Sequence, residues 1–277
     1  MPRLPFIKMH GAENDYIFFD GMTDSLPRDP GVLAKRICNR HTGIGADGII
    51  CMVSPSDESV DVQMQIWNAD GSPAEMCGNA ARCIAVWMQS SGRVSDICRI
   101  QTSDRIITAH EIHVNGELGS ATVDMGAPEI FTADAGQTIE LADGVRLVLH
   151  RVHIGNPHAV VFVDELTDEL VMEVGPEIEQ HPIVAQRTNV EFVVVRAANE
   201  LLVRVWERGS GETQACGSGA CAVVAVAVNT GRIPNNQPCR VVLPGGVLTV
   251  HWNLQTDNIR LSGPVEIAFT GNVTDDS

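Results

Sequence analysis

A chain of 277 residues is long enough for one large domain or two ordinary ones, each with its own core. Its 44% hydrophobic and 19% charged content are those of a globular protein, and a formal net charge of −16 argues against nucleic acid or an anionic membrane surface as partner. The acidity is read as solubility, with no specific macromolecular partner implied.

The opening MPRLPFIKMHGAEND lacks the apolar stretch and small-residue cleavage site of a secretory signal. The longest apolar run, Ala220 to Val228, is too short to span a bilayer. The expectation is a cytoplasmic protein with reduced thiols. Along the chain, short β-branched runs alternate with Gly, Asn, Asp and Pro punctuation. A strand is predicted at Ile17–Phe19, a helix over Gly31–Asn39, strands at Ile49–Val53 and Val60–Trp67, and a helix over Asn79–Gln89. Strands follow at Ile106–His110, Ala121–Asp124, Ala159–Val163, Glu191–Val195 and Leu201–Trp206. A helix over Ser218–Asn229 precedes strands at Val241–Leu243 and Val247–Trp252. The two later helices are apolar and rich in small residues, hence buried on most sides. The pattern is α+β.

The chain repeats itself. IWNADGSPAEMCGNAARC, Ile66 to Cys83, aligns with VWERGSGETQACGSGACA, Val205 to Ala222, at a constant offset of 139. Trp67 falls on Trp206, Cys77 on Cys216, Gly78 on Gly217 and Ala81 on Ala220. A weaker echo pairs Asn14 in GAEND with Asn156 in GNPH at an offset of 142. Chance and the common strand–loop–helix grammar are the bland account; a duplicated domain is the better one. Its halves are expected at residues 1–121 and 122–263, with the tail, 264–277, returning to the first half.

Cys77 and Cys216 each precede a predicted helix, where the dipole and the first N–H groups favour negative charge and a thiol's pKa falls. The N–H groups of Gly78–Asn79 and Gly217–Ser218 could hold a substrate carboxylate. Two copies of one motif facing a planar carbanion put one thiol on each face: one removes the α-proton as thiolate, the other donates a proton from the opposite side. Cys38, Cys51, Cys83, Cys98, Cys221 and Cys239 are read as buried packing. The eight cysteines form no Cys-x-x-Cys pair, so no metal site is expected. GIGADG, Gly43 to Gly48, matches a dinucleotide fingerprint but leads into a strand instead of a helix, and is rejected. Lys8 and Lys35, the only lysines, lack the context of a pyridoxal phosphate site. No cofactor is expected.

On KMHGAEND, NRHTGIGAD, NADGSPAEMCGNAARC, GNPHAV, RTNVEFV, ERGSGETQACGSGACA and LPGG, the sequence closely resembles the diaminopimelate epimerase family across essentially its full length. The resemblance implies two pseudo-symmetric α+β barrel-like domains, each a sheet around a central helix, with the active site in the interdomain cleft. It implies epimerisation of LL- to meso-diaminopimelate, for lysine and peptidoglycan precursors, with Cys77 and Cys216 as catalytic acid–base residues and His158 and Glu207 tuning the thiols. Gly78, Asn79, Gly217 and Ser218 would hold the reacting carboxylate, while Asn14, Asn68, Asn156, Asn189, Glu207 and Arg208 would line the substrate site. Some relatives carry Gln where this chain has Gly48, so that contact is not transferred. Arg208 offers a planar fork suited to a distal carboxylate. Trp67 and Trp206 are assigned to packing. The expected partner is a small amino-acid substrate, and a homodimer is compatible with the sequence. Two rivals stay open: a racemase of another amino acid on the same scaffold, and a ligand-binding or redox-sensing protein whose two cysteines form a reversible disulfide.

Overall fold

The computed structural model describes residues 3–131, 136–184 and 187–275. Contacts between its residues divide the chain into two units, Met1–Val123 with Gly263–Ser277, and Asp124–Ser262. The chain leaves the first within one strand and re-enters it within another.

In the first unit, β1 (Arg3–Gly11) and β2 (Asn14–Asp20) form an antiparallel hairpin. Its two turn residues, Ala12 and Glu13, have φ of 54° and 61°, the paired left-handed conformation that matches strand twist in a two-residue turn. Helix α1 (Pro30–Ile37) starts with Asp29 accepting from Val32 N at 3.0 Å and Pro30 in the first turn. It carries the chain over to β3 (Gly48–Val53), parallel to β2. Strand β4 (Val62–Asn68) runs antiparallel to β3 and folds back on the short β5 (Pro73–Ala74). Helix α2 (Gly78–Ser90) follows, then β6 (Ile97–Gln101), parallel to β4, and the antiparallel β7 (Ile106–Asn115) and β8 (Leu118–Gly126).

The second unit repeats this order. After β9 (Glu129–Ile130) and β10 (Gln137–Glu140), β11 (Arg146–His153) and β12 (Pro157–Phe162) make the antiparallel pair. A π-helical turn, Leu170–Val174, runs into α3 (Gly175–Glu179) and leads to β13 (Asn189–Ala197), parallel to β12. Then come β14 (Glu200–Glu207), β15 (Gly211–Thr213), α4 (Gly217–Asn229), β16 (Cys239–Leu243, parallel to β14) and β17 (Gly246–Asn253). Strand β18 (Asn258–Thr274) first pairs with β17, then continues into the first unit, where it pairs with β1 and also with β8. A strand that pairs on both sides this way closes the sheet and removes its edges. In the second unit β9 pairs with β11 as the end of β18 pairs with β1.

Each unit carries one helix buried nearly all round. Gly78 to Val86 of α2 are all buried, and α2 packs on β1, β2, β6 and β7. Gly217 to Ala227 of α4 are all buried, and α4 packs on β11, β12, β13 and β17. Small side chains let strands approach these helices closely; the valines of α4 each contribute roughly 1.5–3 kcal/mol by burial. Every strand and helix expected from the sequence is present. Trp67 packs on a core of Leu33, Ile37 and Ile49, and Trp206 on one of Val171, Ile178 and Phe192. No helix among the described residues is long and apolar enough to cross a membrane.

Candidate active site

Cys77 is the N-cap of α2. Its backbone is extended, with φ −141° and ψ 116°, and its Sγ accepts from Ala80 N at 3.4 Å, the place usually held by a serine or aspartate oxygen. Asn14 Oδ1, from the end of the first hairpin, lies 3.5 Å from Cys77 Sγ and accepts from Asn79 Nδ2 at 3.0 Å. The Asn14 amide cannot turn round, because its Nδ2 donates to Asp47 Oδ2 at 2.8 Å and an ionised carboxylate only accepts. Arg40 bridges Asp15 and Asp47 at 2.7 and 2.8 Å, and Lys8 pairs with Asp15 and the Gly45 carbonyl. Burial works to raise the Asp15 carboxyl, but Arg40 and Lys8 together hold it below its ordinary value. Burial and repulsion from Asp15 raise Asp47. Arg82, fully buried in α2, donates to Asn79 Oδ1 at 2.9 Å. Asn68, at the end of β4, donates to Ser72 Oγ at 3.0 Å within its own turn.

Cys216 caps α4 in the same way. Its φ and ψ are −115° and 115°, and Sγ accepts from Gly219 N at 3.3 Å. Ser218 Oγ lies 3.5 Å from the sulfur, and Glu207 is held by Thr213 Oγ1 at 2.5 Å. Behind it runs a buried polar chain: Glu191 Oε1 meets His158 Nδ1 at 2.6 Å, and His158 Nε2 meets Asn156 Oδ1 at 2.7 Å. Asn189 accepts from Arg208 N at 2.9 Å and donates to the Pro157 carbonyl at 3.3 Å, which fixes the start of the turn carrying the exposed Arg208. A cavity of about 180 Å³ opens beside His158, with Arg151, Arg187 and Thr188 on its walls.

The structure therefore gathers Asn14, Cys77, Gly78 and Asn79 in the first unit, and Asn156, His158, Asn189, Glu207, Arg208, Cys216, Gly217 and Ser218 in the second. One expectation is overturned. The Cys216 thiol is not lowered by its helix N-terminus: burial first, then Glu207 and Glu191, raise it well above the ordinary value. Hydrogen bonds from Ser218 and Gly219 oppose that rise without reversing it. Gly48 also has a structural reason, since a β-carbon there would come within 2.3 Å of the Trp67 carbonyl oxygen and 3.0 Å of Tyr16. A glutamine has no room at this position.

Sequence reasoning missed Asp47, Arg82 and Glu191. Charged residues inside apolar runs, Arg82 in AARCIAV and Glu191 in NVEFVVV, are the signal that could have found two of them. Among the described residues no group of three or more His, Cys, Asp or Glu is arranged to hold a metal.

The model of the family described as Diaminopimelate epimerase matches residues 6–131 and 151–268. A diaminopimelate epimerase of Desulforudis audaxviator is 42% identical over 97% of this chain and 98% of its own length. That of Moorella thermoacetica is 40% identical over 96% and 98%. Among solved structures, a probable proline racemase from Agrobacterium radiobacter superposes with a TM-score of 0.78 at 15% identity, covering 99% of this chain and 93% of that one. A hydroxyproline epimerase from Agrobacterium vitis gives 0.73 at 14% identity, covering 99% and 91%. At such identities the likeness extends to the mixed α+β fold alone.

Proposed function

The chain belongs to the diaminopimelate epimerase family, and on that footing we propose that it interconverts LL- and meso-diaminopimelate with Cys77 and Cys216 as its two acid–base residues. The observation that carries this reading is the duplicated cap: each cysteine is extended backbone at the head of a buried helix, its sulfur drawing a backbone N–H. The reaction requires one thiolate and one thiol on opposite faces of a single α-carbon, so the substrate takes one cysteine from each unit. The thiolate removes the α-proton, its sulfur becoming S–H, and the electron pair stays on carbon, spread into the carboxylate. The other thiol delivers its proton to the opposite face and becomes the thiolate. Inversion results, with the two protonation states exchanged.

The surroundings of Cys216 favour its protonated form in the resting protein, which assigns it the acid for the first turnover. Gly78, Asn79, Gly217 and Ser218 offer helix N-terminal N–H groups to the reacting carboxylate. Asn14, Asn68, Asn156, Asn189 and Glu207 line the substrate, His158 and Glu207 tune the thiols, and Arg208 receives the distal carboxylate. The scheme calls on no metal or organic cofactor. The test is conversion of LL- to meso-diaminopimelate by the reduced protein in deuterated solvent, with solvent label expected at the inverted α-carbon. Turnover without label would remove the two-thiol scheme; no turnover would favour the ligand-binding or redox-sensing reading.

A further inference from the structure

Glu179 ends α3 with 2% of its surface exposed, and three donors from three segments converge on it. Its Oε1 accepts from Arg187 Nη2 at 2.6 Å and from Gly209 N at 3.0 Å, and its Oε2 accepts from Trp206 Nε1 at 2.8 Å. A carboxylate buried against Trp206 and the core around Ile178 is costly unless its oxygens are satisfied, and here they are. Two of those donors flank residues of the proposed site. Arg187 stands two residues before Asn189, and Gly209 follows Arg208. Asn189 in turn accepts from Arg208 N, so the contacts close a ring through Glu179, the chain Arg187–Asn189 and the turn Arg208–Gly209. Arg187 has φ of 52°, a left-handed backbone that a non-glycine residue keeps only where its surroundings hold it.

The first unit solves the equivalent turn differently. There Asp70 Oδ1 accepts from Ser72 N at 2.8 Å and Ser72 Oγ at 2.6 Å, so the turn after β4 fastens on itself. That turn has Ala69 at the place of Arg208. The second unit's turn, which carries the arginine, is fastened from outside.

We propose that Glu179 is a specificity-positioning residue: by anchoring Gly209 and Arg187 it sets the turn that presents the Arg208 guanidinium to the distal carboxylate of the substrate. This rests on the reading of Arg208 above. The test uses Glu179→Gln and Glu179→Ala in the full chain. Glutamine keeps the size of the side chain but leaves one acceptor oxygen for three donors. The expected result is a rise in KM for diaminopimelate of about tenfold or more, with kcat within about threefold of the parent. Brief trypsin treatment of the native protein should cleave after Arg208 at least ~10-fold faster, with cleavage elsewhere unchanged, because local opening controls that rate. In an Arg208→Met background the Glu179→Gln change should cost less than about twofold in kcat/KM, the non-additivity expected of residues acting through one another. An unchanged cleavage rate after Arg208 overturns the proposal, as does a fall in kcat at constant KM or full additivity with Arg208→Met. If Glu179→Ala does not fold, Glu179→Gln still decides. A parent protein inactive on diaminopimelate would refute the family reading of the site, and the cleavage arm would still judge the anchoring.

Discussion

His158 and Glu191 meet at 2.6 Å on neighbouring strands, with neither side chain exposed. The first unit has no such pair: strand register puts Tyr16 at the place of His158 and Ile50 at that of Glu191. The pair belongs to one copy only, the copy whose cysteine is held as a thiol. Glu191→Gln should cost roughly 3–5 kcal/mol of stability, because a buried partner is left without its counter-charge. Urea unfolding of Glu191→Gln, His158→Gln and the double variant checks this. The double variant should lose clearly less than the two losses added, whereas simple additivity would show two independent residues.

Gly219 is tied to the same carboxylate. A β-carbon at this position would lie 2.8 Å from Glu191 Oε1 and 3.3 Å from Cys216 Sγ. The matching residue in the first unit is Ala80, opposite an isoleucine, where a methyl group is accommodated. Gly219→Ala should therefore destabilise by about 1–3 kcal/mol through overpacking, despite the better helix propensity of alanine. It should also lower kcat/KM by roughly tenfold or more, since Cys216 shifts with its cap. Steady-state kinetics alongside thermal unfolding will show it; a stabilised, fully active variant would mean that Glu191 moves aside freely.

Cys77→Ser and Cys216→Ser should each retain the fold and lose about 10²–10⁴-fold in turnover, in both directions. Serine is a far weaker acid, and each thiol serves as acid one way and base the other. Exchange of the α-proton in one diastereomer could survive in a single variant. Near-normal turnover of either variant in both directions would refute the pair.

The duplication was legible because Trp, Cys-Gly and an apolar helix recur at one offset, and local pattern alone decides such elements. Strands β1 and β11 were not legible: Lys8 and His10, and Arg151 and His153, interrupt their apolar alternation. Lys8 is nevertheless buried, since Asp15 on the paired strand meets its charge. Glu191 was invisible for a related reason, its partner His158 lying 33 residues away. The thiol of Cys216 was misread because a helix N-terminus is a local feature, while the burial and the carboxylates that outweigh it arrive from other strands.

Buried thiols set the alkaline limit of the fold. Burial pushes Cys38, Cys51, Cys83 and Cys98 up to about 12 from an ordinary 9. Between these values the folded state keeps protons that the unfolded chain has released, so stability falls as pH rises. The slope is roughly 1.4 kcal/mol per pH unit for each thiol. Urea unfolding should show a flat stability from pH 7 to 8 and a steep loss above about 9. Cys98→Ala should make that loss shallower. A stability unchanged between pH 8 and 10.5, at any denaturant slope, would contradict this account (approximate limits set by the shifted thiols).

Specificity for diaminopimelate must come from the groups at the far end of the substrate, because helix N-termini and a cysteine pair would serve any amino acid. Arg208 is exposed, so a substrate without a distal carboxylate strands no buried cation. Discrimination then rests on the charge-assisted pair that diaminopimelate gains, worth about 1.5–3 kcal/mol for hydrogen bonds to a charged group. Lysine, which keeps a distal ammonium but no carboxylate, should accordingly fall at least ~10–100-fold below diaminopimelate in kcat/KM. Arg208→Lys retains the charge but not the planar two-pronged donor, and should lower kcat/KM for diaminopimelate mainly through KM. The backbone clamp from Asn189 Oδ1 to Arg208 N is untouched by that substitution, so a loss reports on the guanidinium itself. Kinetics of both substrates on the parent and on Arg208→Lys decide the matter. Comparable parental values for lysine and diaminopimelate would take the distal carboxylate away from Arg208 and leave a cysteine-pair racemase of broader range.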